Sequence, residues 1–387
     1  MPYKPGRHFL QIPGPSNVPD RVLRAIDNPT IDHRSCDASE LVKHCIAQMQ
    51  AVFQTKGPVI IFPASGTGGW EAALANTLSP EDTVVAFDIG HFARLWAKMA
   101  QNIGLRVDLV PGDWRSGVDV SALSRKLTGD ANHDIKAVMV VHNETSTGVT
   151  SDIKSVRRVL DAARHPALLM VDTVSSLGCI DYRHDQWGVD VSISGSQKGL
   201  MLPPGLSFNA LSCKAIEASR TARLSRSYWS WDAMLEKNDE GFFPYTPATN
   251  MLYGLREATA MLFEEGLQNV FARHRRHAEA TRRAVSAWGL DILAKNPVEY
   301  SNTVTTVMMP AGQDEVKLRA LILDTLNMSL GAGLGKLAGT VFRIGHLGDF
   351  NELMLCGTLA GVEMGLELAG VPHRNGGVAA AMTYLID

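Results

Sequence analysis

Cysteine is scarce in this chain of 387 residues: five in all, Cys36, Cys45, Cys179, Cys213 and Cys356, with no Cys-x-x-Cys pair among them. An odd, scattered set excludes a disulfide framework and a zinc site and fits reduced thiols. Long apolar runs are missing too. No uninterrupted stretch approaches bilayer-spanning length, and Met1 opens onto Pro-Tyr-Lys-Pro-Gly-Arg with no apolar signal core behind it. The C-terminal Tyr384-Leu385-Ile386-Asp387 carries no peroxisomal or ER address. A cytoplasmic location and no membrane partner are therefore expected. Charge of one sign is lacking as well. A net charge of −3 gives no pull towards nucleic acid, and the basic stretch Arg273-His274-Arg275-Arg276-His277 is read as a solvated helix face. Nucleotide fingerprints fail: Glu71 stands where a GxGxxG run needs its last glycine, and no Lys-[Ser/Thr] follows.

What remains is an ordinary globular composition, 45% hydrophobic and 20% charged, in a chain long enough for two domains. Short apolar runs at 59–62, 83–87, 107–110, 137–141, 167–171 and 189–193 read as strands. Helical patterns at 70–78, 91–103, 120–127 and 153–163 fall between them. This alternation predicts an α/β domain around a largely parallel sheet, whose ligands gather at the carboxyl ends of the strands. The proline- and glycine-rich residues 1–20 read as an arm laid over another surface. A helix over 250–265 ends at Gly266 and bridges to a second unit. Strands near 303–309 and 341–344 and a final helix from about 351 make that unit a smaller α+β domain. The expected division is 1–20, 21–265 and 266–387.

Chemistry-bearing residues sit at the expected strand ends. Lys198 lies in Ser194-Gly195-Ser196-Gln197-Lys198-Gly199, a small-residue loop after a buried strand. Desolvation there lowers the amine's pKa and makes it a nucleophile able to hold a carbonyl compound. Alone, it reads first as an ordinary loop lysine. The run Pro63-Ala64-Ser65-Gly66-Thr67-Gly68-Gly69 follows a strand and opens a helix, an arrangement suited to a phosphate or simply a structural turn. Asp172 ends the strand at 167–171, 26 residues before Lys198. It is either the partner of a cationic ring nitrogen or a helix N-cap. The segment 142–148, His-Asn-Glu-Thr-Ser-Thr-Gly, offers side-chain donors or a polar turn. Prolines in 242–250 stop any helix there. Arg343 interrupts an apolar strand, where an arginine pairs with a buried acid or receives a ligand carboxylate.

Taken together from Pro13-Gly14-Pro15-Ser16-Asn17 to Arg343-Ile344-Gly345, these motifs resemble the class V aminotransferases of fold type I. The likeness is greatest to the serine–glyoxylate and alanine–glyoxylate members, with aspartate–glyoxylate types among them. The resemblance implies a fold type I transferase dependent on pyridoxal 5′-phosphate, with a large domain built on a mostly parallel sheet and a small C-terminal α+β domain. It implies Lys198 as the Schiff-base lysine and Asp172 as the partner of the pyridine nitrogen. Ser65, Gly66, Thr67 and Gln197 would cup the phosphate. Phe92 would stack on the ring, Thr145 would contact the ring hydroxyl, and Arg343 would bind the substrate carboxylate. Thr246 would complete the neighbouring subunit's phosphate site, which makes a homodimer with shared active sites. Where alanine-type relatives carry a tyrosine this chain has Phe243, and Tyr245 is the substitute. The implied reaction is ping-pong transamination that turns glyoxylate into glycine, with L-serine or L-aspartate ahead of L-alanine as donor. Arg34, in Asp32-His33-Arg34, is a candidate for a second donor carboxylate, although the same run is compatible with serine. Two alternatives stay open: a cysteine desulfurase-like lyase, for which Cys36 is the candidate nucleophile, and a non-enzymatic binding protein on the same fold.

Overall fold

A computed structural model describes residues 5–386; the first four residues of the expected arm and Asp387 lie outside it. The chain begins with β1 (Phe9–Gln11), α1 (Asp20–Ile26) and α2 (Cys36–Phe53). Next come β2 (Val59–Phe62), α3 (Gly66–Thr77), β3 (Thr83–Phe87), α4 (His91–Asn102), β4 (Arg106–Val110) and α5 (Val120–Gly129). β5 (Ile135–Val141), a short hairpin of β6 (Asn143–Glu144) and β7 (Val149–Thr150), α6 (Ile153–Ala162) and β8 (Leu168–Asp172) follow. Then come β9 (Val191–Gly195), β10 (Ser207–Leu211), α7 (Cys213–Ser219), α8 (Trp231–Glu240), α9 (Thr249–Glu265) and α10 (Leu267–Trp288). The last part holds β11 (Val304–Met308), α11 (Glu315–Leu326), β12 (Met328–Ala332), β13 (Val341–Gly345), α12 (Glu352–Leu368) and α13 (Gly377–Ile386).

The larger sheet has seven strands in the order β2-β10-β9-β8-β5-β3-β4. β10 runs antiparallel to both of its neighbours, and the other pairings are parallel. Six strands therefore end at one edge, which is why motifs scattered from residue 63 to residue 198 converge. Strands such as Val-Ile-Ile-Phe at β2 and Leu-Leu-Met-Val-Asp at β8 are buried throughout, as expected where helices cover both faces. The helices bring matching apolar stripes: Ile153, Val156 and Leu160 of α6 are its buried face, and Asp152 caps it by accepting from the Ser155 N–H.

The smaller sheet is ordered β1-β12-β13-β11. Its first strand comes from the other end of the chain and pairs parallel to β12, Phe9 opposite Met328 and Gln11 opposite Leu330. Part of the proline-rich arm is thus a sheet edge, a pairing that three residues cannot announce by periodicity. Two apolar cores form, one from Val22 to Val270 and one from Ala280 to Leu385. The helix that joins them is α10, with Val270 in the first and Trp288 in the second. α9 keeps its buried face in the first core and ends at Gly266, where φ is +83°. The basic stretch on α10 is not a solvated face: His274 and His277 are fully buried, and Arg273 holds Glu265 and the carbonyls of Gly348 and Phe350. β10 escapes notice in the sequence because Ser207 and Asn209 dilute its apolar signal, although both are buried. A further helix, α13, follows the one expected to be last.

Candidate active site

A cavity of about 260 Å³ opens at the carboxyl edge of the large sheet. It is slightly smaller than the roughly 300–1,000 Å³ usual for ligand pockets. Gly66, Thr67, Phe92, Thr145, Asp172, Gln197 and Lys198 all line it, so most of the residues singled out in the sequence share one wall.

Lys198 enters from the turn after β9 and is 8% exposed. Its Nζ donates to the Pro13 carbonyl. Burial, helped by the nearby positive charge of Arg343, lowers its pKa to about 8. Asp172 ends β8, with Oδ1 accepting from the Val174 N–H at 2.6 Å and Oδ2 from the Trp70 indole at 3.2 Å. Burial pushes its carboxyl up to about 7, against those two hydrogen bonds, and the Glu144 charge adds to the rise. The segment after it runs through turns to β9 without an α-helix, so Asp172 is not a helix cap.

α3 begins at Gly66, four residues earlier than expected, and the Ser65 side chain does not cap it. Its positive dipole end therefore faces the cavity through Gly66 and Thr67. Phe92 stands in the first turn of α4. That turn is fixed by Glu144, whose buried carboxylate accepts from Ala93 N–H at 2.9 Å and from Ser146 Oγ at 2.7 Å. Arg343 is 6% exposed in β13. It donates to the carbonyls of Ala332 (2.7 Å) and Thr145 (2.9 Å) and has no ion-paired carboxylate among the described residues. Burial lowers its pKa to about 10, which leaves it charged at neutral pH. It stands behind Thr145 rather than in the cavity wall.

Four more of the expected residues stay off that wall besides Arg343. Ser65 and Thr246 are exposed, Tyr245 stacks on Tyr228 with centroids 4.3 Å apart, and Arg34 is exposed with its backbone N–H on Asp32. Sequence reasoning in turn gave no role to Gly14, Pro15, Trp70, Asn143, Val174 and Ser175, all of which line the cavity. Gly14, Pro15 and Asn143 lay inside quoted motifs, but nothing local in those motifs says what they meet. No cysteine lines the cavity; Cys36 is exposed at the start of α2, and Cys179 is buried with its thiol pushed up to about 12. A lyase nucleophile is thus missing from the described wall.

A family model described as aminotransferase class-V matches residues 8–336. The chain is 51% identical to a serine–glyoxylate aminotransferase of Methylorubrum extorquens, over 99% of this chain and 97% of the relative. It is 46% identical to an L-aspartate–glyoxylate aminotransferase of Paracoccus denitrificans, over 96% and 95%. Among solved structures, a ureidoglycine–glyoxylate aminotransferase of Bacillus subtilis superposes with a TM-score of 0.93 at 27% identity, covering all of both chains. The chain belongs to the class V aminotransferase family and has the fold type I architecture; it is an aminotransferase whose cofactor is pyridoxal 5′-phosphate. The cavity fits that group. Gln197 lines it, and its Oε1 is buried with no hydrogen-bond partner, so no bond of that oxygen stops the amide from turning its N–H groups to a phosphate. A Cβ at Gly66 would come within 2.5 Å of Val174, and one at Gly14 within 2.3 Å of Lys198 Nζ, so both walls are kept bare.

Proposed function

We propose that this aminotransferase passes the amino group of L-serine or L-aspartate to glyoxylate, yielding glycine. The observation that carries the reading is a lysine and an aspartate buried in the wall of one cavity beside an uncapped helix N-terminus. The names of the serine– and aspartate–glyoxylate relatives support the substrates.

In this reading Lys198 Nζ would hold the cofactor's aldehyde carbon, and the carboxylate of Asp172 would face its ring nitrogen. The N-terminal N–H groups of α3, with Ser65, Thr67 and Gln197, would hold the phosphate. Phe92 would cover the ring and Thr145 would meet its hydroxyl. When bound, the cofactor supplies a sink for the electron pair left at the substrate's Cα. Once the donor's amino group has taken its place, Lys198, with its lowered pKa, would be a free amine and take the proton from Cα. Arg343, charged and without a carboxylate partner, binds the substrate's α-carboxylate in a bidentate fork. Thr246 and Tyr245, which do not line this chain's own cavity, complete the phosphate site of a second copy, so the working unit is a homodimer. It acts in the cytoplasm, and no helix among the described residues is long and apolar enough to cross a membrane. The proposed domain division is 1–20, 21–265 and 266–387.

The purified chain loaded with pyridoxal phosphate should show a visible band that Lys198→Ala abolishes, with turnover falling by about 10²–10⁴. Rates with glyoxylate should favour L-serine or L-aspartate over L-alanine. Arg34→Ala should raise KM for L-aspartate about tenfold and leave L-serine unchanged. No band after loading would overturn the reading, and an L-aspartate rate no better than that of L-alanine, untouched by Arg34→Ala, would remove aspartate as donor.

A further inference from the structure

The segment between β1 and α1 does more than join them. Ile12 and Pro13 pass the end of β13 so closely that a Cβ on Gly345 would fall within 2.3 Å of the Ile12 carbonyl. At Gly14 φ is +105°, and a Cβ there would meet Cδ and Nζ of Lys198 at 2.3 Å. Ser16, 4% exposed, grips the lysine turn twice: its N–H donates to the Gln197 carbonyl at 3.0 Å and its Oγ to the Lys198 carbonyl at 2.9 Å. Pro13 accepts the amine itself. The main chain and the side chain of Lys198 are therefore held by one four-residue stretch. That stretch hangs from β1, an edge strand of the sheet whose β13 carries Arg343.

We propose that Ser16 is the positioning residue for Lys198, fixing the lysine turn so that the amine, resting on the Pro13 carbonyl, returns to one place at the substrate's Cα. The inference rests on the reading of Lys198 given above. Nζ takes the proton as the Cα–H bond breaks, and the electron pair stays on carbon. Such a transfer needs the base within hydrogen-bond reach, and about 1 Å of misplacement can cost on the order of 10²-fold. The grip is separable from folding. The Lys198 carbonyl also accepts from the Met201 N–H at 3.0 Å, so removing the Ser16 hydroxyl orphans no buried acceptor.

The test uses the holoenzyme with Ser16→Ala and Ser16→Thr, and the cofactor-free forms of both. In Ser16→Ala the visible band should persist, kcat should fall about tenfold, and KM for the donor should stay within about twofold. The isotope effect with Cα-deuterated donor should grow, and the rate of cofactor loading, read from the band, should slow about tenfold. Ser16→Thr keeps the hydroxyl and should restore all of these. If Ser16→Ala does not fold, Ser16→Cys, with its weaker donor, should give the same losses in smaller measure. Ser16→Ala with wild-type kcat, isotope effect and loading rate would overturn the proposal, as would a lowered melting temperature as its sole change. A wild-type chain that takes up no cofactor is a different failure, that of the Lys198 assignment itself.

Discussion

Asp172 and Lys198 show the tension that a buried site imposes on single residues. Each is desolvated, so each is driven towards its neutral form: the carboxyl up to about 7, the amine down to about 8. For Asp172 the folded chain binds its proton more tightly than the unfolded chain, where the group titrates near 3.8. The unfolded state then holds fewer protons between those two values, so this residue's burial costs stability increasingly as pH rises from about 4 to 7 and in full above that. Asp172→Asn removes the charge. The cofactor-free variant should melt about 2–4 °C above the cofactor-free wild type at pH 8, with the gap closing towards pH 5. Thermal unfolding at the two pH values checks this, and equal melting temperatures at pH 8 would refute it. Both residues could be picked out in the sequence from strand ends and small-residue loops. Their neighbours Trp70 and Gly14 could not, because which indole or glycine meets a carboxylate or an amine is settled by contacts across 102 and 184 positions of chain.

Among the elements, α3 and α4 are the ones whose N-termini shape the cavity. α3 starts on Gly66-Thr67-Gly68-Gly69, a poor helix-forming run, which is why periodicity placed its start later. The tight turn after β2 and close contacts around it decide the matter: a Cβ at Gly69 would lie 2.8 Å from Ile193. α4 is held by a residue outside it. Glu144 caps its first turn, and Gly90 is needed for that approach, since a Cβ there would come within 2.2 Å of the Glu144 Cγ. The φ of 170° at Gly90 is ordinary extended backbone, so the demand is for space alone. Gly90→Ala should displace Glu144 from the Ala93 N–H, tilt Phe92 and destabilise the chain by about 1–3 kcal/mol. Urea unfolding measures the loss; an unchanged midpoint would show that the loop gives way freely.

At the scale of the whole molecule, the smaller sheet meets the β6–β7 hairpin where Arg343 reaches the Thr145 carbonyl and Asn143 reaches Thr303. The arm and the smaller sheet share β1 and reach Lys198 within four residues. The placement of Tyr245 and Thr246 off this chain's own cavity wall belongs to the same scale. A mixture of Lys198→Ala and Thr246→Ala chains, unfolded and reassembled together, should be more active than the mean of the two parents. In the proposed homodimer, sites that pair Lys198 of one chain with Thr246 of the other are then intact. Activity equal to that mean would place Thr246 outside the shared site.

The sequence alone determined the strand–helix alternation, the parallel sheet and the set of motifs at its carboxyl edge. These follow from local hydrophobic period and from residue types that only a few chemistries require. Only the tertiary structure decided that β1 closes the smaller sheet, that α10 and not α9 joins the cores, that buried histidines break the basic face of α10, and that Ser16 and Pro13 hold Lys198. Those are pairings between residues far apart in the chain, set by shape and by hydrogen-bond satisfaction, and no local pattern encodes them.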